Sequence, residues 1–271
     1  MVLMEETYRI QNLVLKYIPS LIRLFGSSFK WSEEDRKFDK KLKIREKCLE
    51  RQKATSVQIR TSLYDMLIEA ENGNNFALKF IKFIDTLISE VVKILPNFKD
   101  NIRKNIQGTI NNLDDWNYLN PIGELACLKK LLDSKRYILE EIECSFENGK
   151  TKDFLFSETS KNSQVMVEVL NIHSRFEVNG EFLDIKKHLF DKIIEKVNSE
   201  TVNIYSNKYS NSLLFIPVVW HIKKESMQEY YEFFKKFNDS LGKELGLDYA
   251  ICGFCSYLII NDVFDLEKLV L

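Results

Sequence analysis

Residues 152 to 173 read KDFLFSETSKNSQVMVEVLNIH, and this stretch decides the fold of the second half of the chain. It contains two strand-like runs, DFLF and VMVEVLNI, separated by the polar, turn-forming residues ETSKNSQ. Each run carries one carboxylate among apolar neighbours, Asp153 in the first and Glu168 in the second. A buried carboxylate is costly unless a partner compensates its charge. The two acids are therefore the first candidates for a functional site.

Helical and strand patterns alternate on both sides of this predicted hairpin. Apolar residues at helical spacing predict helices, and period-two or short apolar runs predict strands. The predicted helices are 123–134, 181–200 and 226–246, and the further strands are 137–146, 212–221, 248–254 and 256–262. Three consecutive strands, followed by a helical crossover to a buried strand, predict a mixed α/β sheet flanked by helices.

The first part of the chain follows helical periodicity alone. Helices are predicted at 8–25 with a kink at Pro19, from Ser32 to about Glu71, at 75–95 and at 98–112. Such a series predicts an N-terminal helical bundle. The change of pattern across NNLDDWNYLNP divides the chain into a helical domain, 1–115, and a mixed α/β domain, 116–271.

Composition indicates a soluble globular protein. Of the 271 residues, 45% are hydrophobic and 29% charged, and the net charge of −1 gives no overall signal for nucleic acid. The longest apolar run, 213–220, is far shorter than a membrane helix requires. Five cysteines, an odd number, indicate reduced thiols and a cytoplasmic location. Cys252 and Cys255 form a CxxC, but no second pair completes a zinc site, which favours core thiols.

Three acids occur in an order that resembles a known family. Glu124 lies on a predicted helix, and Asp153 and Glu168 lie on the two hairpin strands. This arrangement resembles the PD-(D/E)xK nuclease superfamily over about residues 120 to 265. The resemblance implies a restriction-endonuclease-like core, with Asp153 and Glu168 as ligands of Mg²⁺ or Mn²⁺ and Glu124 in support. Mg²⁺ favours one or two carboxylates together with water and phosphate oxygens, so the chemistry is consistent.

The family's lysine is missing from its usual place, because Leu170 occupies that position. On the following predicted helix, Lys186 falls within the apolar stripe that runs from Leu183 to Val197. Lys186, or Lys196 farther along the same helix, is therefore the candidate replacement. Alternatively, Lys186 extends from the helix end into water.

A structural role is the alternative for the two strand acids. Asp153 and Glu168 would then form cross-strand salt bridges, with Lys150 and Lys152 available as partners, or lie on an exposed sheet face.

The window 35–53 is basic, with nine Lys or Arg against four Asp or Glu and a net charge of +5. Lys40, Lys41 and Lys43 at its centre are candidate contacts to nucleic-acid phosphates. The alternative is a solvated helix face whose charges pair along the helix.

Two functions remain open at this point. The first is a Mg²⁺-dependent nuclease of the restriction or defence type, and the second is a catalytically inactive, nuclease-like protein that binds nucleic acid or other proteins. Expected partners are nucleic acid and, through the helical domain, a protein or a second copy of the chain. No membrane partner is expected.

Overall fold

The computed structural model describes helices in the first part of the chain and strands in the second. The described residues are 9–52, 62–111, 116–145, 151–160, 163–173, 191, 195, 212–221, 250–252 and 255–258. The predicted mixed fold with N-terminal helices is confirmed. Two compact units, Met1–Leu125 and Ala126–Leu271, make up the chain. Their division lies later than the boundary between 115 and 116 that the sequence predicts.

Seven α-helices occur among the described residues. They are α1 (Ile10–Tyr17), α2 (Pro19–Phe25), α3 (Trp31–Gln52), α4 (Leu63–Glu71), α5 (Asn75–Ile94), α6 (Lys99–Asn111) and α7 (Leu119–Asp133), with short 3₁₀ turns at Pro96–Phe98 and Trp116–Tyr118. The division between the two units falls inside α7. Within the described residues, no helix has both the length and the apolar character needed to cross a membrane.

The helices end where the backbone chemistry requires it. Pro19 begins α2 after Ile18 has left the helical conformation, and Pro96 follows the end of α5, since proline lacks an N–H to continue a helix. The prediction of one helix from Ser32 to Glu71 is wrong. Ser62 is extended, and its Oγ accepts a hydrogen bond from the Asp65 N–H while the Asp65 carboxylate accepts one from the Ser62 N–H. This capping box starts α4 as a separate helix.

The core of the first unit depends strongly on α5. Phe80, Ile84, Ile88 and Val91 are completely buried and recur at the spacing of one helix face. Burying each such side chain contributes about 1.5–3 kcal/mol. The predicted helix 75–95 is therefore confirmed within one residue by the observed α5.

The second unit contains one mixed sheet of six described strands. They are β1 (Tyr137–Ser145), β2 (Thr151–Glu158), β3 (Ser163–His173), β4 (Ser212–His221), β5 (Ala250–Cys252) and β6 (Cys255–Leu258). The strand order is β1-β2-β3-β4-β5, and β6 also pairs with β4. The first three strands form an antiparallel meander, whereas β4 is parallel to β3, β5 and β6.

The parallel pairing of β3 and β4 requires a crossover connection. Residues 191 and 195 of that connection are helical. The remainder of the predicted helix 181–200, and all of the predicted helix 226–246, lie outside the described residues. The central strand β3 is buried from Val165 to Leu170 without alternation, as expected for a strand covered on both faces.

Candidate active site

Strands β2 and β3 separate at one end of their pairing. Their antiparallel ladder ends at Phe154 opposite Val167. Beyond that pair, β2 continues beside β1 as far as Thr151, and β3 continues beside β4 as far as His173. We call this point the fork; its residues are Lys152, Asp153, Glu168 and Val169. Two of them are the acids that the sequence identifies.

Asp153 bridges the two strands through its side chain. Its Oδ2 accepts a hydrogen bond from the backbone N–H of Val169 at 2.6 Å. The carboxylate thus takes the place that a strand carbonyl has in a continued ladder. A charge-assisted bond of this kind is about twice as strong as a neutral one, and it holds the half-buried side chain in one orientation.

Glu168 is buried beside a buried lysine. The Lys152 Nζ lies 3.1 Å from Glu168 Oε2, and the two residues are 3% and 4% exposed. Lysine and glutamate are almost never fully buried unless they are paired. The pair satisfies that requirement, and it places an ammonium group next to the Glu168 carboxylate.

The cross-strand salt bridge with Lys152 was the structural alternative for Glu168, and the structure contains it. The other structural alternative, that Glu168 lies on an exposed sheet face, is wrong, because this residue is buried. A sequence signal for Lys152 does exist. It stands two residues before Phe154 and four before Phe156, so strand alternation puts it on the apolar face of β2.

The other lysine candidates have different positions. Leu170 is 5% exposed and pairs in register with Pro217 of β4, so the family's usual lysine position belongs to the core here. Lys186 and Lys196 lie outside the described residues.

Glu124 lies on α7 within the first unit. It accepts a hydrogen bond from the side-chain amide of Asn105 on α6. Its expected role in support of the strand acids stays a prediction.

The two acids of the fork suit a hard cation. Carboxylate oxygens are the ligands that Mg²⁺ and Mn²⁺ take, and Mg²⁺ keeps several waters when bound by one or two carboxylates. Among the described residues, no group of three or more His, Cys, Asp or Glu side chains is arranged to hold a metal ion. Asp153 and Glu168 supply ligand atoms of a type that Mg²⁺ takes, and their role as a pair of metal ligands stays a prediction.

The basic window forms part of α3. Lys40 and Lys43 are exposed, whereas the side chain of Lys41 lies outside the described set. Their exposure is compatible with phosphate contacts and with a solvated face.

The comparisons with known proteins supply no relative. No family model, no curated protein and no solved structure matches the chain.

Proposed function

We propose that this protein is a Mg²⁺-dependent nuclease whose active site is the fork between β2 and β3. The observation that carries the proposal is the buried ion pair of Lys152 and Glu168, which lies where the strands separate. Asp153, next to Lys152 in the sequence, accepts a hydrogen bond from the N–H of Val169, the residue that follows Glu168. Two carboxylates that hold a cation and one ammonium that offsets negative charge are one set of groups that can promote phosphodiester hydrolysis. Hydrolysis adds water at phosphorus and breaks one P–O bond, leaving a phosphate monoester and a hydroxyl.

Asp153 and Glu168 would hold Mg²⁺, with Mn²⁺ as the substitute ion. When bound, the ion supplies Lewis-acid stabilisation of the negative charge that develops on the phosphate. The hydrogen bond from Val169 keeps the Asp153 carboxylate oriented before any ion binds. Such preorganisation avoids a reorganisation cost during the reaction.

Lys152 takes the role of the family's lysine, which Leu170 cannot perform. Its ammonium group donates hydrogen bonds to a phosphate oxygen and offsets charge in the transition state. In a site from which water is excluded, such a donor is worth far more than in solution. Sequence reasoning placed this role on Lys186 or Lys196, and the geometry around Glu168 favours Lys152.

The strand order supports the finer fold assignment. An antiparallel meander of three strands, followed by a crossover to a parallel strand, is the arrangement that the resemblance to PD-(D/E)xK nucleases implies. We therefore assign a restriction-endonuclease-like core to the second unit as part of the same proposal.

The second candidate function is a binding protein without catalysis. One observation favours it: Lys152 already neutralises Glu168, so the pair needs no metal ion to compensate its charge. In this case the fork stabilises the fold, and the protein binds nucleic acid or a protein partner.

Cleavage assays decide between the two. Duplex DNA, single-stranded DNA and RNA are incubated with the full chain in Mg²⁺, Mn²⁺ or EDTA. We expect cleavage with either ion, none in EDTA, and none by Asp153→Asn or Glu168→Gln.

Glu158→Gln is the matched control, because Glu158 is a buried β2 carboxylate paired with Arg136 at 2.8 Å, far along the strand from the fork. Circular dichroism and thermal melting establish that each variant is folded. Absence of cleavage by the unmutated chain on all three substrates rejects the nuclease in favour of the binding protein.

A further inference from the structure

One face of α3 carries four basic side chains in a row. Arg36, Lys40, Lys43 and Lys47 are exposed and follow one another at intervals of four, three and four residues. With 3.6 residues per turn and a rise of 1.5 Å, they lie within an arc of about 60° and extend over about 16 Å. We name these four residues the α3 stripe.

The opposite side of α3 is packed into the first unit. Trp31 and Phe38 are 5% and 3% exposed, and the Phe38 ring lies 3.6 Å from the Tyr64 ring, centroid to centroid. The Asp35 carboxylate accepts a hydrogen bond from the Ile10 N–H at 2.8 Å. Phe38 lies about half a turn round the helix from the α3 stripe. This packing therefore directs the stripe away from the core of its unit.

Within the described part of the chain, the stripe residues form no ion pair. Neighbouring lysines outside the stripe do pair, since Lys37 contacts Glu34 at 2.6 Å and Lys30 contacts Glu33 at 3.1 Å. Among the described side chains of this unit, the stripe therefore presents positive charge that no acidic partner offsets through an ion pair. Asp39 is exposed at its edge and reduces that charge in part.

We propose that the α3 stripe binds the phosphate backbone of duplex nucleic acid. A row of cations along one helix face is complementary to the regular negative charge of a duplex, which carries one charge per about 1.7 Å of its axis. The stripe contains no aromatic residue on which an unpaired base would stack, which disfavours a single strand.

A membrane surface is a poorer fit to the α3 stripe. Amphipathic helices that bind membranes insert an apolar face opposite their basic face. In α3 that opposite face is occupied by Trp31 and Phe38 packing into the core. The duplex is therefore the partner that charge and packing together favour.

The α3 stripe is a second proposed surface in addition to the fork. Its binding to a duplex does not depend on cleavage. The stripe adds Arg36 and Lys47 to Lys40 and Lys43. Lys41 is not part of it, because an ideal helix puts Lys41 about 130° round from the stripe's centre; its predicted phosphate contact stays a prediction.

Binding of a fluorescent duplex of about 20 base pairs, measured in EDTA across a series of KCl concentrations, tests the proposal. The variant combines Lys40→Gln, Lys43→Gln and Lys47→Gln in the full chain. Gln matches Lys in helix propensity, so α3 is retained. We expect binding at low salt to weaken at least about tenfold, and the slope of log affinity against log salt to become shallower by about three.

Two matched variants separate stripe contacts from general charge. Replacing Lys82, Lys93 and Lys104 by Gln removes the same charge from exposed helix positions of the same unit, and binding is expected to change little. Replacing the three stripe lysines by Arg keeps the charge and is expected to keep the affinity. Equal losses in both Gln variants, or an unchanged salt slope, overturn the proposal.

Partner class is tested with the unmutated chain. Binding to phosphatidylserine vesicles or to single-stranded DNA without binding to the duplex also overturns the proposal. Failure of the proposed nuclease is a distinct result, because it appears as absent cleavage by the unmutated chain, whereas failure of the stripe appears in duplex binding in EDTA. Glu168→Gln is expected to lose cleavage and to retain duplex binding in EDTA.

Discussion

Lys152 of β2 and Glu168 of β3 form an ion pair just beyond the end of the β2–β3 ladder, with Lys152 Nζ 3.1 Å from Glu168 Oε2. Both side chains are almost completely removed from solvent. Burying two charges costs several kcal/mol per ion, and their attraction offsets this cost only with good geometry. Replacing a buried ion pair with hydrophobic residues of similar volume is often neutral or stabilising, so stability alone does not explain this pair.

Replacing one partner of this ion pair and leaving the other is expected to destabilise the second unit. Lys152→Met leaves the Glu168 carboxylate buried without its cation and should lower the free energy of unfolding by about 3–5 kcal/mol. Lys152→Met combined with Glu168→Leu removes both charges and should cost much less than the sum of the single changes. Urea denaturation of the four proteins in a double-mutant cycle measures this coupling. Additive losses would mean that the two groups act independently.

Two substitutions of Asp153 separate charge from hydrogen bonding. Asp153→Asn keeps an oxygen that accepts the Val169 N–H, so the fold should be retained while cleavage and Mg²⁺ binding are lost. Asp153→Ala loses the bond as well and should lower the free energy of unfolding by about 1.5–3 kcal/mol. Thermal melting with and without Mg²⁺ supplies a readout that does not depend on cleavage. A Mg²⁺-induced rise in melting temperature that persists in Asp153→Asn would exclude this carboxylate as a ligand.

The position of the functional lysine is tested by comparing three residues. Lys152→Gln should reduce the cleavage rate by about 10²–10³, the cost of losing one preorganised donor. Lys186→Ala and Lys196→Ala should leave the rate within about twofold, a change worth only about 0.4 kcal/mol of transition-state stabilisation. The comparison is made at saturating substrate, with folding checked by circular dichroism. Lost cleavage in Lys186→Ala, with an intact fold, would transfer the role to that residue.

The start of α4 depends on Ser62. Ser62→Ala removes the side-chain acceptor of the capping box and should cost about 1 kcal/mol of unfolding free energy. Ser62→Thr keeps both this acceptor and the hydroxyl that donates to Asp65, so it should cost less. Ser89→Ala is the control, because Ser89 is exposed on α5. Equal stability of Ser62→Ala and the control would show that the cap contributes nothing.

Glu71 links stability of the first unit to pH. Hydrogen bonds from Lys16 and then Tyr17 hold the pKa of the Glu71 carboxyl below its ordinary value of 4.5. Because the pKa is lower in the folded state, the ionised Glu71 carboxylate stabilises the fold. This stabilisation is present above pH 4.5 and is lost as the pH falls through the folded-state pKa. The unmutated chain should therefore exceed Glu71→Gln in stability at neutral pH. The difference should shrink when denaturation is repeated at increasingly acidic pH; a constant difference would contradict this linkage.

Local patterns in the sequence predicted most of the described elements. The two strand-like runs within residues 152–173 predicted β2 and β3, and the apolar run 212–221 predicted β4 with the observed bounds. Pro96 marked the end of α5, and the predicted kink at Pro19 is a break between α1 and α2, because proline interrupts backbone hydrogen bonding whatever surrounds it. The break before α4 was missed, since Ser62 looks like an ordinary polar helix residue until its backbone becomes extended.

The sequence by itself determined the two acids, their strands and the mixed order of elements, because apolar periodicity and backbone chemistry act over a few neighbouring residues. It also contained an unused signal, since the two-residue spacing to Phe154 puts Lys152 on the apolar face of β2. Only the tertiary structure decided which partners these residues take. Where β2 and β3 separate depends on how each strand pairs with its other neighbour, β1 or β4. That competition between non-local backbone contacts brings Lys152 to Glu168 and the Asp153 carboxylate to Val169.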